Sequence, residues 1–421
     1  MDRSGGDDQH RKIVFTTQSV DGESEAVVTL QEHKDLTRPP FLINVSTRPR
    51  NQQLPFFLPE QRETHVIISS GSGHGLADDF FSSAVRPILE SIYGEKGSKE
   101  TRIHTTESPT SILEITDNIL FPAANEGKPI RIILLSGDGG IVDLVNGLSS
   151  ETPNSQTYIP PQVVILPLGT ANALYHSINA GGNDTWGLPA LTSWEAKPLP
   201  IFTATFSPGA RLLVDEARQE QALPKDSQGN GILHGAVVAS WGMHASLVGD
   251  SDTTEYRKHG VERFKMAAKE ALYPADGSPP HPYKGKISVL REEDQWTSLP
   301  EEEHMYVLAS MVSHLEKPFC ISPATKPLDG SLHLVHFTPR SGDEVMGIMN
   351  KAYDGGKHVD DEDVRYESID GLRIKFEGKE EDERWRRICI DGKIVRLEED
   401  GWVEVRRVKE KRVLNIVVSG Q

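Results

Sequence analysis

Cysteine is scarce: the 421 residues hold two, Cys320 and Cys389. They are far apart and have no metal-ligand spacing. No disulfide framework follows, and a reducing compartment is expected. No apolar run approaches the ~18–20 residues that a helix needs to cross a bilayer. The opening stretch MDRSGGDDQHRK lacks the apolar segment of a secretory leader. Positive charge is also short, with 45 Lys and Arg against 62 Asp and Glu and a formal net charge of −17. That argues against a general nucleic-acid binder and against adhesion to anionic membrane by charge alone. Two familiar phosphate signatures are missing. There is no GxxxxGK[ST] loop, and the stretch 71–76, GSGHGL, fails as a dinucleotide GxGxxG because Leu76 sits at the third glycine.

What is present is a pair of strand–glycine–helix units. Residues 131–148 read RIILLSGDGGIVDLVNGL. The apolar run 132–135 reads as a buried parallel strand, and Ile141, Leu144, Val145 and Leu148 fall on one helical face. Between them the glycines let backbone approach a ligand closely, and the helix start offers free N–H groups suited to phosphate. Asp138, in the middle of this cradle, is poorly placed to bind phosphate directly. It reads as a base or a ligand for phosphate-bound Mg²⁺, or else as a turn residue or helix cap. Residues 162–178, QVVILPLGTANALYHSI, repeat the pattern. Two such turns in one α/β unit point to phosphate or nucleotide at the carboxyl ends of the strands.

SGDGG…VNGL and PLGTANAL together resemble the catalytic motifs of the diacylglycerol kinase and sphingosine kinase superfamily, roughly GGDGTxxEVxNGL followed by PxGTxNxxA. Later landmarks keep the order. They are Trp-Gly, Tyr-Arg and Arg-Phe within 240–264, then His314-Leu315, Phe319 to Ser322-Pro323, DGSLHL at 329–334, Gly356-Lys357-His358 and Asp391-Gly392. The likeness runs from about Thr64 to the C-terminus and is nearer the sphingoid-base branch.

The resemblance implies an ATP-dependent lipid kinase that uses Mg²⁺ to move the γ-phosphoryl group onto the primary hydroxyl of a sphingoid long-chain base. Its partners would be ATP and a lipid presented at a membrane surface, with no nucleic acid. A cytoplasmic location with peripheral association to intracellular or plasma membrane is implied, and the oligomeric state stays open. The implied fold is α/β + β: a doubly wound, phosphofructokinase-like α/β nucleotide-binding domain, then a mostly antiparallel β-sandwich, with the active site in the cleft between. The expected boundaries are an N-terminal extension over 1–62, the catalytic domain over 63–200 and a lipid-binding domain over 201–421.

By the same resemblance Asp138 is the base. Gly71, Ser72, Gly73, Thr106, Gly137, Gly139, Gly169, Thr170, Asn172, Arg257, Arg263, Asp391 and Gly392 would hold the nucleotide, and His244 and Ser246 the lipid; Trp186 is a candidate lipid-pocket residue on a different ground, as an aromatic in a Gly/Pro-rich stretch. Arg suits phosphate through its fixed charge and forked donors. Trp186 reads equally as the core of a short helix, and without the resemblance Arg257 and Arg263 read as exposed helix charges. Several positions depart from the family pattern. Ser69-Ser70 stand for Asn-Pro, Gly140 for Thr or Leu, and Asp143 for Glu. Lys393 stands for the Glu of a late Asp-Gly-Glu, and Ser246 for an Asp that reads the sphingoid amino group. Asp250 or Asp252 is a candidate substitute for that Asp. Diacylglycerol or ceramide kinase activity, a catalytically weak nucleotide- or lipid-binding homologue, and a kinase of a soluble small molecule are the alternatives.

Elsewhere, runs at 12–46 read as short strands, and LPFFL at 54–58 as packed or as a surface patch. The stretch 208–231 reads as a mobile excursion, and 255–271 and 343–353 as helices amid a strand-rich second half. VRRVKEKR at 405–412 reads as solvated charge.

Overall fold

The computed structural model describes residues 12–18, 23–49, 62–182, 185–291, 295–409 and 412–419. The segment LPFFL and the first eleven residues lie outside them.

The first sheet explains the two glycine units. Its strand order by residue range is Arg102–Thr105, Glu63–Ile68, Ile130–Ser136, Gln162–Pro167, Asn415–Val417 and Ala196–Pro198. All neighbours are parallel except the last pair. Every residue of Ile130–Ser136 is buried, as a parallel strand covered on both faces requires. Alternation divides its side chains. Ile132 and Leu134 join a core with Ile141, Leu144 and Val145, whereas Ile133 and Leu135 join one with Phe80, Phe81, Val85 and Ile88. Helix Asp138–Gly147 therefore covers one face, and the helical run from Ala77 covers the other. Outside that run packs an antiparallel sheet of Lys12–Gln18, Ser24–Gln31 and Phe41–Pro49, through Ile13, Val28 and Leu30.

The second half forms two antiparallel sheets of eight and six strands whose inner residues share one apolar core. The two helices expected there are observed as Thr254–Arg257 with Glu262–Leu272, and Gly342–Ala352, the last closed by a capping box of Ser341 and Glu344. Two expectations need correction. The stretch 208–231 is an ordered hairpin, Arg211–Val214 paired with Gln219–Ala222. The last strand, expected in the second unit, instead pairs parallel to Gln162–Pro167 in the first sheet. The chain thus leaves the α/β unit near residue 200 and comes back to close it.

Candidate active site

The glycine turns are first a packing device. A Cβ on Gly169 would lie 2.4 Å from Gly137 Cα, and one on Gly73 would lie 2.3 Å from the Leu168 carbonyl oxygen. Only bare backbone lets the three turns touch. Polar bonds lock the contact. Gly137 N–H donates to Ser72 Oγ at 3.1 Å, and Ser70 N–H donates to Thr106 Oγ1 at 3.2 Å. Asn172 is left-handed, with φ 56°; its Oδ1 accepts from Gly169 N–H at 2.9 Å and its Nδ2 donates to the Gly169 carbonyl at 3.0 Å. Asn172 therefore shapes the second turn. Gly139 has open space where a Cβ would stand. These turns form one wall of a cavity of about 1030 Å³ between the two halves of the chain.

Asp138 sits on that wall. Its Oδ2 accepts from Ala173 N–H at 2.7 Å and its Oδ1 from Leu174 N–H at 3.0 Å. The carboxylate is thus aimed by the first amides of helix Ala173–Ile178, the start of the second unit. It does cap a helix, though not its own. Burial raises its pKa, and the two amides pull the other way. A carboxylate held by two donors and raised by burial retains lone pairs for a proton.

The opposite wall comes from the antiparallel unit. Asp391 and Gly392 have φ of 47° and 91° and join Ile390 to Lys393 in a two-residue hairpin. Asp391 turns back to accept from the N–H groups of Ala236, Val237 and Val238. Burial pushes its carboxyl up to about 7 against those three amides, and the charge of Asp138 adds to the rise. Arg257 grips Asp252 with two bonds of 3.0 Å, and Arg263 reaches the same carboxylate at 3.3 Å. The lining also carries an apolar set, Leu247, Phe264, Leu315, Phe319, Met346 and Tyr353. The site therefore combines phosphate-type turns and apolar lining in one cavity with the Asp138 carboxylate.

Residues 63–202 match the model of the diacylglycerol kinase catalytic domain. Human sphingosine kinase 1 is 26% identical over 333 residues, covering 72% of this chain and 79% of that protein. The rat enzyme is 25% identical over 329 residues with the same coverage. A crystal structure of a diacylglycerol kinase from Bacillus anthracis shares the fold, with a TM-score of 0.52 at 14% identity over 85% of this chain and 97% of that one. These matches support a place for the chain in the diacylglycerol kinase and sphingosine kinase superfamily, with the family model resting on residues 63–202.

The likeness to sphingosine kinases makes the lipid-side positions instructive. His244 lines the cavity; its Nδ1 meets Ser240 Oγ at 2.7 Å, and burial lowers its pKa to about 4, so the ring is neutral. Ser246 does not line it. That residue is 3% exposed and accepts from Tyr283 O–H at 2.8 Å on the side away from the cavity. On this helix the cavity-facing residues are Met243, His244, Leu247 and Val248. The two candidate substitute carboxylates are both ion-paired. Asp250 meets Arg384 and Arg387, and Asp252 meets Arg257 and Arg263. Trp186 also lies outside the cavity: it packs edge-on against Phe80 at 6.4 Å, within the core. Trp194 lies under the buried Arg131 guanidinium, which donates to the carbonyls of Ala190, Leu191 and Ser193.

Two features escape a reading by motif. Asn146, inside VNGL, donates to the His234 carbonyl at 2.8 Å and accepts from His234 N–H at 3.0 Å, tying the α/β unit to the antiparallel one. Lys393 Nζ meets Asp143 Oδ1 at 2.7 Å across the cavity. The sequence held half of a signal for that pair: Lys393 reverses the charge of the family's Glu, whereas Asp143 keeps it one methylene shorter. Gly140 also has a local cause, since a Cβ there would lie 2.6 Å from Ser136 Oγ.

Proposed function

We propose that this lipid kinase transfers the γ-phosphoryl group of ATP to the primary hydroxyl of a sphingoid long-chain base. The supporting observation is the position of Asp138, aimed by the Ala173 and Leu174 amides in the cavity that the glycine turns and the apolar set both line. In this reading the turns at Gly71–Gly73, Gly137–Gly139 and Gly169–Thr170 hold the triphosphate through backbone donors. Arg257 and Arg263 then turn from Asp252 to the phosphates. The hydrocarbon chain of the base lies against the apolar lining, and Asp138 takes the proton of the attacking hydroxyl.

No group of three or more His, Cys, Asp or Glu suited to a cation occurs among the described residues. That donor set fits Mg²⁺ carried mainly by the triphosphate and water, where it neutralises phosphate charge. Among the described residues no helix is long and apolar enough to cross a membrane, so the lipid is reached from a membrane surface by peripheral contact.

The test is transfer from γ-labelled ATP with Mg²⁺ to sphingosine, dihydrosphingosine, phytosphingosine, diacylglycerol and ceramide in mixed micelles. Label on a sphingoid base supports the reading. Label only on diacylglycerol or ceramide moves the substrate within the superfamily. Binding of ATP with no transfer to any lipid refutes it.

A further inference from the structure

Four cations line the cavity, and three have local partners that account for them. Arg257 and Arg263 share Asp252, and Lys265 pairs with Glu262 one turn away. Lys393 is placed differently. It follows the Asp391-Gly392 hairpin and reaches across the cavity to Asp143, on the helix that begins at Asp138. Its side chain is 25% exposed, against 12% for Asp143, and both line the cavity. An ammonium has three donors, and Asp143 takes one. The acidic groups that line the cavity are Glu107, Asp138, Asp143, Asp252, Glu316 and Asp391. A triphosphate entering this acidic lining would find Lys393 as a cation beside Arg257 and Arg263.

We propose that Lys393 is a catalytic residue: its ammonium, held by Asp143, contacts the non-bridging oxygens of the γ-phosphoryl group during transfer. This rests on the phosphotransfer reading above. In the step, the lipid hydroxyl oxygen forms the new O–P bond. The bond from γ-phosphorus to the β–γ bridging oxygen breaks, its electron pair leaves with ADP, and the hydroxyl proton passes to Asp138. Lys393 makes and loses no covalent bond; it offsets charge on the transferred group, a task worth roughly 10²–10³-fold when a single donor is removed elsewhere. Asp143 is a positioning residue that keeps the ammonium from turning to Asp138 or Asp391.

The experiment compares wild type, Lys393→Met and Asp143→Asn. Affinities for ADP and for the β,γ-imido analogue of ATP are measured by calorimetry with Mg²⁺. Turnover is measured on sphingosine micelles, and thermal unfolding is followed in parallel. Lys393→Met should lose the wild-type preference for the triphosphate, keep ADP affinity within about threefold, and lower kcat about 100-fold or more. Asp143→Asn, which retains the cation, should lose less than about tenfold in kcat. Should the Met variant not fold, Lys393→Gln retains a hydrogen bond to Asp143 without the charge and should behave alike. Equal losses in Lys393→Met and Asp143→Asn with an unchanged triphosphate preference would overturn the proposal and leave the pair as a tie between the two halves. A wild type that binds nucleotide but phosphorylates no lipid refutes the proposed function, and the triphosphate preference still decides Lys393. A wild type that binds neither nucleotide refutes both.

Discussion

Asp138→Asn separates chemistry from capping. The carboxylate accepts from two helix amides at 2.7 and 3.0 Å. Asparagine can serve one of them through its oxygen, but its NH₂ would then face the other N–H. One helix-terminal donor is orphaned, at about 1 kcal/mol, or a fall in melting temperature of roughly 2–4 °C. If capping were its whole role, turnover of the folded fraction would hardly change. As a base, its loss should lower turnover about 10²–10⁴-fold, about 3–5 kcal/mol of barrier. The pH dependence gives a second sign. Asp138 works ionised, and burial raises its pKa above the ordinary 3.8. Wild-type turnover should therefore fall as pH drops through a value above the usual aspartate range, and the Asn variant should lack that limb. His244, lowered to about 4, adds no limb near neutrality, whereas Asp391, pushed up to about 7, supplies one that the Asn variant should keep. The assay is label transfer from ATP to sphingosine micelles at stepped pH, with unfolding followed in parallel. A variant that retains more than a tenth of the activity would refute the assignment.

Gly169→Ala would set a Cβ 2.4 Å from Gly137 Cα, backbone against backbone, so the turns must part. A cost of about 3 kcal/mol and weakened ATP binding are expected, by thermal denaturation and calorimetry. Asn146→Ala removes both bonds to the His234 backbone, where a loss of about 1–3 kcal/mol should accompany a fall in kcat larger than in KM; steady-state kinetics beside a melting curve would show it. Ser246→Asp would bury a carboxylate beside Tyr283, costing about 2–3 kcal/mol with no change in headgroup preference. A gain in sphingosine over diacylglycerol would restore Ser246 to the lipid site.

Much of the site was legible as local pattern. The apolar runs 132–135 and 163–166, each followed within three residues by glycine, read as buried strands entering tight turns, and the helix periods after them set which face turns inward. The same locality limits the reading. Asp138 was open between cap and base because a sequence shows which amides follow a residue in the chain, not which lie across a sheet. Its partners are 35 and 36 residues away. Ser246 was placed with the lipid by motif position, and Trp186 by the aromatics of a Gly/Pro-rich stretch. Ser246 sits on a helix where rotation by one residue decides between cavity and core, and Trp186 sits in a turn; the first meets Tyr283 and the second packs against Phe80.

The sequence by itself determined the element types, the glycine turns and the order of the two halves, because strand burial, helix period and turn chemistry act over a few neighbouring residues. The tertiary structure alone decided the rest. It returned the last strand to the first sheet, it joined Asn146 to His234, and it set Lys393 against Asp143 across the cavity. Each joins residues tens to hundreds of positions apart, so each depends on how the two halves pack, which no local preference specifies.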